Sequence, residues 1–397
     1  MYNAGRINKL GTEKAFAVAA RAAAHAAAGG TVYPFHLGDL NLPTPKNIQE
    51  AADRAMAEGK TGYCPPAGIA PLRDALAQDT NSKRGTKYSA ENISVQPGGK
   101  PVITKFLMTL MNPGDGVLCP NPGFPIYESQ IEFLGGKVLP YPVVPAGDYF
   151  TFDLDAMEQL ITSKTKLLIV NDYHNPTGAE LSTAERERLV ELAVRNDLMV
   201  LLDEAYFETH YDDMANSLAS MPGMAERSVL LYTFSKKFAM TGWRLGAAIG
   251  PCEIIDVFNK INVNIESCTC QFVQWAGVEG ITGDQTEPKK IVATLRERRD
   301  VGVEILNSIP GVTCIKPNAS FYLYPDVTDL MNRMGFGDNY DAFADDVLKK
   351  TGVSFCTRIH FGCPLPGETR RYLRLAFSGI NANAIKEGLG KLKQYAS

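Results

Sequence analysis

The sequence predicts an α/β protein, a mostly parallel sheet in a large domain with a smaller α+β domain attached, and three observations predict it. The chain has 397 residues, enough for two lobes and long for one compact domain. From about residue 45 to 285, short apolar runs alternate with amphipathic stretches, the pattern of strands and crossover helices in a parallel sheet. From residue 286 the alternation gives way to one long charged helical stretch, then short strands and terminal helices. The large domain is therefore expected at 46–285, and the small one at 1–45 together with 286–397.

Taken in order, the first element is EKAFAVAARAAAHAAAGG, Ala-rich but interrupted by Glu13, Lys14, Arg21 and His25. Closed by Gly29 and Gly30, it reads as an amphipathic helix and not as a signal peptide. The strand candidates are NISVQ (92–96), GVLC (116–119), KLLIVN (166–171), LMVLLD (198–203), SVLLYTF (228–234) and LGAAIG (245–250). Between them, KPVITKFLMTLM (100–111) and AERERLVELAVRN (184–196) space their apolar residues as helices do. The small domain opens with EPKKIVATLRERRDVGVEILNSI (287–309), and its strands are FYLYPDV (321–327) and YLRLAFS (372–378).

Composition narrows the function classes. A formal net charge of -4 gives no reason to expect nucleic acid or an anionic membrane as partner. The eight cysteines form no CxxC pair and the five histidines show no ligand spacing, so a disulfide framework and a zinc site are both poor readings. No apolar run approaches the roughly 18 residues of a membrane span. A reducing cytoplasm is the expected compartment.

Four polar stretches stand at or just after four strand candidates: PGGKP (97–101), HNPTG (174–178), Asp203, and TFSKK (233–237). Open parallel sheets bind ligands at the carboxyl ends of their strands. Each stretch also has a plainer reading. PGGKP could be an ordinary strand–helix turn, Asp203 a helix cap, and either lysine a solvated one. Together they suit pyridoxal 5'-phosphate, which needs an amine for a Schiff base, an anion at its pyridine nitrogen, donors to its 3'-oxygen and a phosphate cup. The rival nucleotide sites lack support, because neither GxGxxG nor GxxxxGK[ST] occurs.

On these residues the chain resembles the class I/II aminotransferases, pyridoxal-phosphate enzymes of fold type I that include aspartate aminotransferase. The resemblance runs from HLGDLNLPTP to YLRLAFSG, and its most specific motifs are SKKFAMTGWRLG and NPTG followed by DEAY. It implies that Lys236, after a Ser and eight before Arg244, holds the cofactor as a Schiff base. Lys237 falls on a variable position and points away, since adjacent side chains diverge. Asn175 and Tyr206 resemble donors to the 3'-oxygen, and Asp203 the carboxylate that keeps the pyridine nitrogen protonated. Arg244, Thr233 and Ser235 resemble phosphate ligands, with the backbone of Gly99 and Lys100 opposite; the family more often has Ser or Gly where Thr233 stands. Phe124 resembles the aromatic stacked on the ring. Tyr63 resembles the tyrosine that reaches the neighbouring subunit's phosphate, which implies a homodimer with shared sites. Arg374 resembles the clamp on the substrate α-carboxylate, and Gly38 the backbone that touches substrate. NDYHNPTG lacks the proline often found two before its second Asn, which leaves that loop's shape open.

The activity so implied is ping-pong transamination between an amino acid and a 2-oxo acid. Lys100 resembles the lysine that reaches a distal carboxylate, pointing to aspartate or glutamate with 2-oxoglutarate; alternatively it only adds to the phosphate charge or faces solvent. TEKAFAV (12–18) lacks the small hydroxyl residues of a dicarboxylate pocket, which favours aromatic or small apolar amino acids as the other reading. A lyase, synthase or oxidase on the same fold would use the same lysine, aspartate and arginine. A non-catalytic sensor module would need a basic winged-helix segment, which the chain lacks.

Overall fold

Among the described residues, thirteen strands build three sheets: β1 (Tyr33–Pro34), β2 (Ile93–Gln96), β3 (Gly116–Asn121), β4 (Lys137–Ala146), β5 (Tyr149–Phe152), β6 (Thr165–Val170), β7 (Met199–Asp203), β8 (Ser228–Thr233), β9 (Gly246–Ile249), β10 (Tyr322–Leu323), β11 (Val353–Ser354), β12 (Cys356–Thr357) and β13 (Leu373–Ala376). They belong to a computed structural model that describes residues 3–11, 14–211 and 216–397. Thr12 and Glu13, on which part of the N-terminal reading rests, lie outside the described residues.

The main sheet has the order β2-β9-β8-β7-β6-β3-β4-β5. Strands β4, β3, β6, β7 and β8 pair in parallel, whereas β9 runs antiparallel to both β8 and β2. Two reversals restore the common direction in β2. The carboxyl ends of β2, β6, β7 and β8 therefore emerge on one edge, where the four polar stretches lie.

These strands read as continuous apolar runs because both faces are covered. Alternate residues feed two different cores: Val200, Leu202 and Leu230 pack on one side, Leu201, Val229 and Leu231 on the other. Each such side chain, fully withdrawn from water, contributes about 1.5–3 kcal/mol. Helix Lys100–Leu110 supplies Val102 and Phe106 to the second core, and helix Thr183–Arg195 supplies Leu189 and Leu192 to the first. Strands β4 and β5 are not among the strand candidates of the sequence, and β4 contains Pro140, Pro142 and Pro145. The first two lie where β4 is paired only with β3, so a proline without an N–H is tolerated on its open side.

A third core forms elsewhere, with Leu295 of helix Thr286–Asn307, Phe321, Leu323, Phe343, Leu375 and Leu389. It also takes Tyr33 and Phe35 from the N-terminal segment. That segment is stitched in by β1 pairing with β11, and by Ala376 N–H donating to the Phe35 carbonyl at 2.7 Å. Helix Ala15–Ala27 forms as its pattern requires and ends before Gly29, which takes φ 89°. Among the described residues no helix is long and apolar enough to cross a membrane, and no group of ligating side chains suits a metal ion.

Candidate active site

At the shared strand edge lies a cavity of about 580 Å³. Every site residue expected from the sequence lines it except Tyr63, which stands 88 % exposed on the surface. Four groups of side chains divide the wall.

The first holds the amine. Strand β8 ends at Thr233, and the turn after it presents Lys236 inward: Nζ donates to the Gly38 carbonyl at 3.2 Å and lies 5.1 Å from the Phe321 ring centre. Lys237 leaves in the other direction. Its ammonium sits 3.4 Å from Glu208 and 4.8 Å from the Phe238 ring centre, and burial pulls its pKa down to about 8 against the pull of Glu208. The pair is thereby resolved, with one lysine in the cavity and one in a charge cluster behind it.

The second group is an anion cradle. Gly98 takes φ 99°, and a Cβ there would lie 2.3 Å from Arg244 Nη2. Only glycine lets the guanidinium lie against that turn. Gly99 caps helix Lys100–Leu110, which carries Pro101 in its first turn, so the positive end of a helix meets the cavity. Thr233 Oγ1 and Ser235 Oγ are 3.0 Å apart beside it, and Arg244 Nη1 is held by the Thr241 carbonyl at 2.7 Å.

The third group surrounds Asp203, at the end of β7 and 6 % exposed. Its Oδ2 accepts from Tyr127 Oη at 2.6 Å and its Oδ1 from the Ala205 N–H at 3.2 Å. No cation lies within ion-pair distance among the described residues. Burial therefore raises its pKa, against the Tyr127 and Ala205 hydrogen bonds and the more distant Lys236 charge.

Farther along, Arg374 of β13 is 5 % exposed yet reaches the same cavity. Its Nη2 donates to the His36 carbonyl at 2.8 Å and its Nη1 to Asn175 Oδ1 at 3.3 Å, while Tyr322 and Phe361 flank it at 4.6 and 4.7 Å. Its Nε has no hydrogen-bond partner among the described residues. Tyr206 and Tyr322 share a hydroxyl–hydroxyl bond of 2.8 Å. A Cβ at Gly38 would stand 2.4 Å from the Tyr322 hydroxyl, so glycine is what allows that approach.

This arrangement fits pyridoxal phosphate on its own terms. A glycine turn under an arginine suits a phosphate. A buried carboxylate without a cation suits a protonated ring nitrogen, and a lysine stands between them. An orphaned guanidinium N–H suits an incoming carboxylate. Sequence reading passed over Tyr127, Tyr322 and His36. Tyr127 had a signal, its position three residues after Phe124 at the start of a helix; Tyr322 was legible only as a strand residue.

Comparison with known proteins follows the same lines. The sequence pattern of the family Aminotransferase class I and II matches residues 32–392. The chain is 34% identical to an aspartate/prephenate aminotransferase of Cereibacter sphaeroides, over 87% of this chain and 88% of that one. It is 30% identical to an aspartate aminotransferase of Sulfolobus acidocaldarius, over 92% and 90%. Its fold superimposes on the crystal structure of the aspartate aminotransferase from Rhizobium meliloti with TM-score 0.92 at 27% identity, covering 100% of this chain and 99% of that one.

Proposed function

The chain belongs to the class I and II aminotransferases, enzymes that use pyridoxal phosphate, and from that premise we propose a role for each wall of its cavity. The observation that carries the reading is the meeting of Lys236, Asp203 and Arg374 in one cavity. The bound cofactor supplies an electron sink for the bond pair released at the substrate's Cα. Lys236 would hold the cofactor through its Nζ, and as a free amine the same Nζ would carry the proton away from the substrate's Cα as general base. Arg374 clamps the α-carboxylate and thereby aims that proton at Nζ. Asp203 and Phe124 hold the ring, Asn175 and Tyr206 its 3'-oxygen. Arg244, Thr233, Ser235 and the backbone of Gly99 and Lys100 take the phosphate.

Aspartate or glutamate, with 2-oxoglutarate as acceptor, is the substrate reading we favour. Two similar proteins are named for aspartate, and Lys100 lines the cavity with its ammonium 5.8 Å from the Phe124 ring centre. Lys100 is exposed, so its pairing with a side-chain carboxylate is weaker than that of a desolvated pair. Ala15, Phe16 and Leu37 on the same wall support a second reading, aromatic or small apolar amino acids. We also propose a homodimer in which Tyr63 reaches the neighbouring site; its exposure supports this. Eight free thiols suit a reducing cytoplasm. The domain division at 46–285 is supported by the packing of Tyr33 and Phe35 into the C-terminal core.

The test supplies the holoprotein with aspartate, alanine or phenylalanine together with 2-oxoglutarate. Oxo acid and glutamate in equal amounts without ammonia are expected; ammonia in place of glutamate would make the enzyme a lyase. Lys100→Leu should lower kcat/KM for aspartate roughly two- to five-fold, an effect of about 0.5–1 kcal/mol, and spare alanine. An equal loss for both would confine Lys100 to the cofactor.

A further inference from the structure

We propose that Tyr127 is a positioning residue that keeps a proton on the cofactor's ring nitrogen by holding Asp203 ionised. The inference rests on the reading that Lys236 and Asp203 hold pyridoxal phosphate.

Asp203 and a ring nitrogen facing it compete for one proton. Whatever stabilises the carboxylate leaves the proton on nitrogen, where the electron sink needs it. Of the two donors seen at the carboxylate, Ala205 offers a backbone N–H at 3.2 Å and Tyr127 a hydroxyl at 2.6 Å. The Tyr127 contact is the shorter, and the only one made by a side chain. Tyr127 is 1 % exposed, and burial together with the Asp203 charge raises its own pKa well above the usual tyrosine value. It therefore stays a donor across the working pH range.

The hydroxyl is well fixed. Tyr127 is the second residue of helix Ile126–Phe133, its N–H donates to the Phe124 carbonyl at 3.0 Å, and its ring lies with Ile103, Phe106 and Ile131 in one core cluster. Phe124 meets that ring edge-on, with centres 5.6 Å apart and planes at 84°. One side chain thus braces both Phe124 and the Asp203 carboxylate, two of the residues that would hold the cofactor's ring. A phenylalanine would keep the packing and the Phe124 contact and lose only the donated hydrogen bond, which makes the substitution clean.

The experiment measures binding with two cofactors: pyridoxal phosphate, and its 1-deaza analogue, in which a C–H replaces the ring nitrogen. Tyr127→Phe should weaken pyridoxal phosphate by roughly ten-fold, as losing a hydrogen bond to a charged group does, and leave the analogue unweakened. In protein loaded with ¹⁵N-labelled cofactor, the ring nitrogen resonance should move toward its unprotonated position. In an Asp203→Asn background the same substitution should leave the ratio of the two affinities unchanged. Equal weakening of both cofactors, or an unmoved ¹⁵N resonance, would overturn the proposal and leave Tyr127 a packing residue. Should Tyr127→Phe fold poorly, 3,5-difluorotyrosine at 127 keeps the hydroxyl and strengthens its donation, and the resonance must then move the other way or not at all; movement toward the unprotonated position sinks the idea. Borohydride reduction of the wild-type holoprotein that leaves no adduct on Lys236 would defeat the underlying reading instead, a separate outcome.

Discussion

The two ends of the cavity are built on different plans. The end with Lys236, Asp203, Gly98 and Arg244 comes from one sheet: Gly98 follows β2, Asp203 ends β7, Lys236 follows β8 and Arg244 stands just before β9. The end with Arg374 comes from segments far apart in the chain: its guanidinium donates to the carbonyl of His36, 338 positions away, and to Asn175, 199 positions away. The first end is rigid because the sheet's two cores fix it. The second exists only when the N-terminal segment, β13 and the loop after β6 meet. On the function proposed above, chemistry common to every amino acid would be anchored in the sheet, and substrate recognition would be assembled where separate segments converge.

Substitutions at the two ends should differ in kind as well as size. The largest effect is expected from Lys236→Ala, which should abolish the borohydride-stable cofactor adduct and lower turnover by several orders of magnitude. Lys237→Ala should keep the adduct, because that ammonium is engaged with Glu208; the opposite pattern would reassign the lysine. Asp203→Asn should retain the adduct and lose roughly 10²–10³-fold in turnover, measured under saturating cofactor. Near-normal turnover there would make Asp203 structural only. At the other end, Arg374→Leu should cost about 3 kcal/mol, or roughly 10²-fold, in kcat/KM for every amino acid alike, with cofactor affinity unchanged. Loss of cofactor in that variant would show the two ends to be one unit.

The smallest effect concerns stability. His360 stands near the Arg374 end, its Nδ1 accepting the Thr357 N–H at 3.3 Å. Burial first, then the Lys14, Arg21 and Arg374 charges, lower its pKa to about 4, with Asp341 opposing. A histidine held neutral in the fold takes up its proton on unfolding. Its contribution is thus present above pH 6.5 and lost as pH falls from 6.5 through 4, by at most about 1.4 kcal/mol per pH unit. Urea unfolding at fixed protomer concentration should show a shallower decline across that window for His360→Gln than for the parent. Identical slopes would mean that His360 is not held neutral by the fold.

The sequence by itself determined most of the first end. Six apolar runs with turn signals after them are enough to place four polar stretches on one edge, since a parallel sheet aligns its carboxyl ends. The resemblance of SKKFAMTGWRLG to the family's motif, in which the lysine follows a Ser and stands eight before an Arg, nominates Lys236 over Lys237. The tertiary structure alone decided the rest. It showed that β4 forms despite its prolines, because one side of the strand carries no ladder bonds there. It showed Lys100 exposed at the cavity wall, which weakens a distal carboxylate contact. And it brought Tyr127 to Asp203 and His36 to Arg374. Periodicity and local turn chemistry act over a few residues and leave a trace in the sequence. A hydrogen bond between residues 76 or 338 positions apart leaves none, because only the packing of whole elements sets that distance.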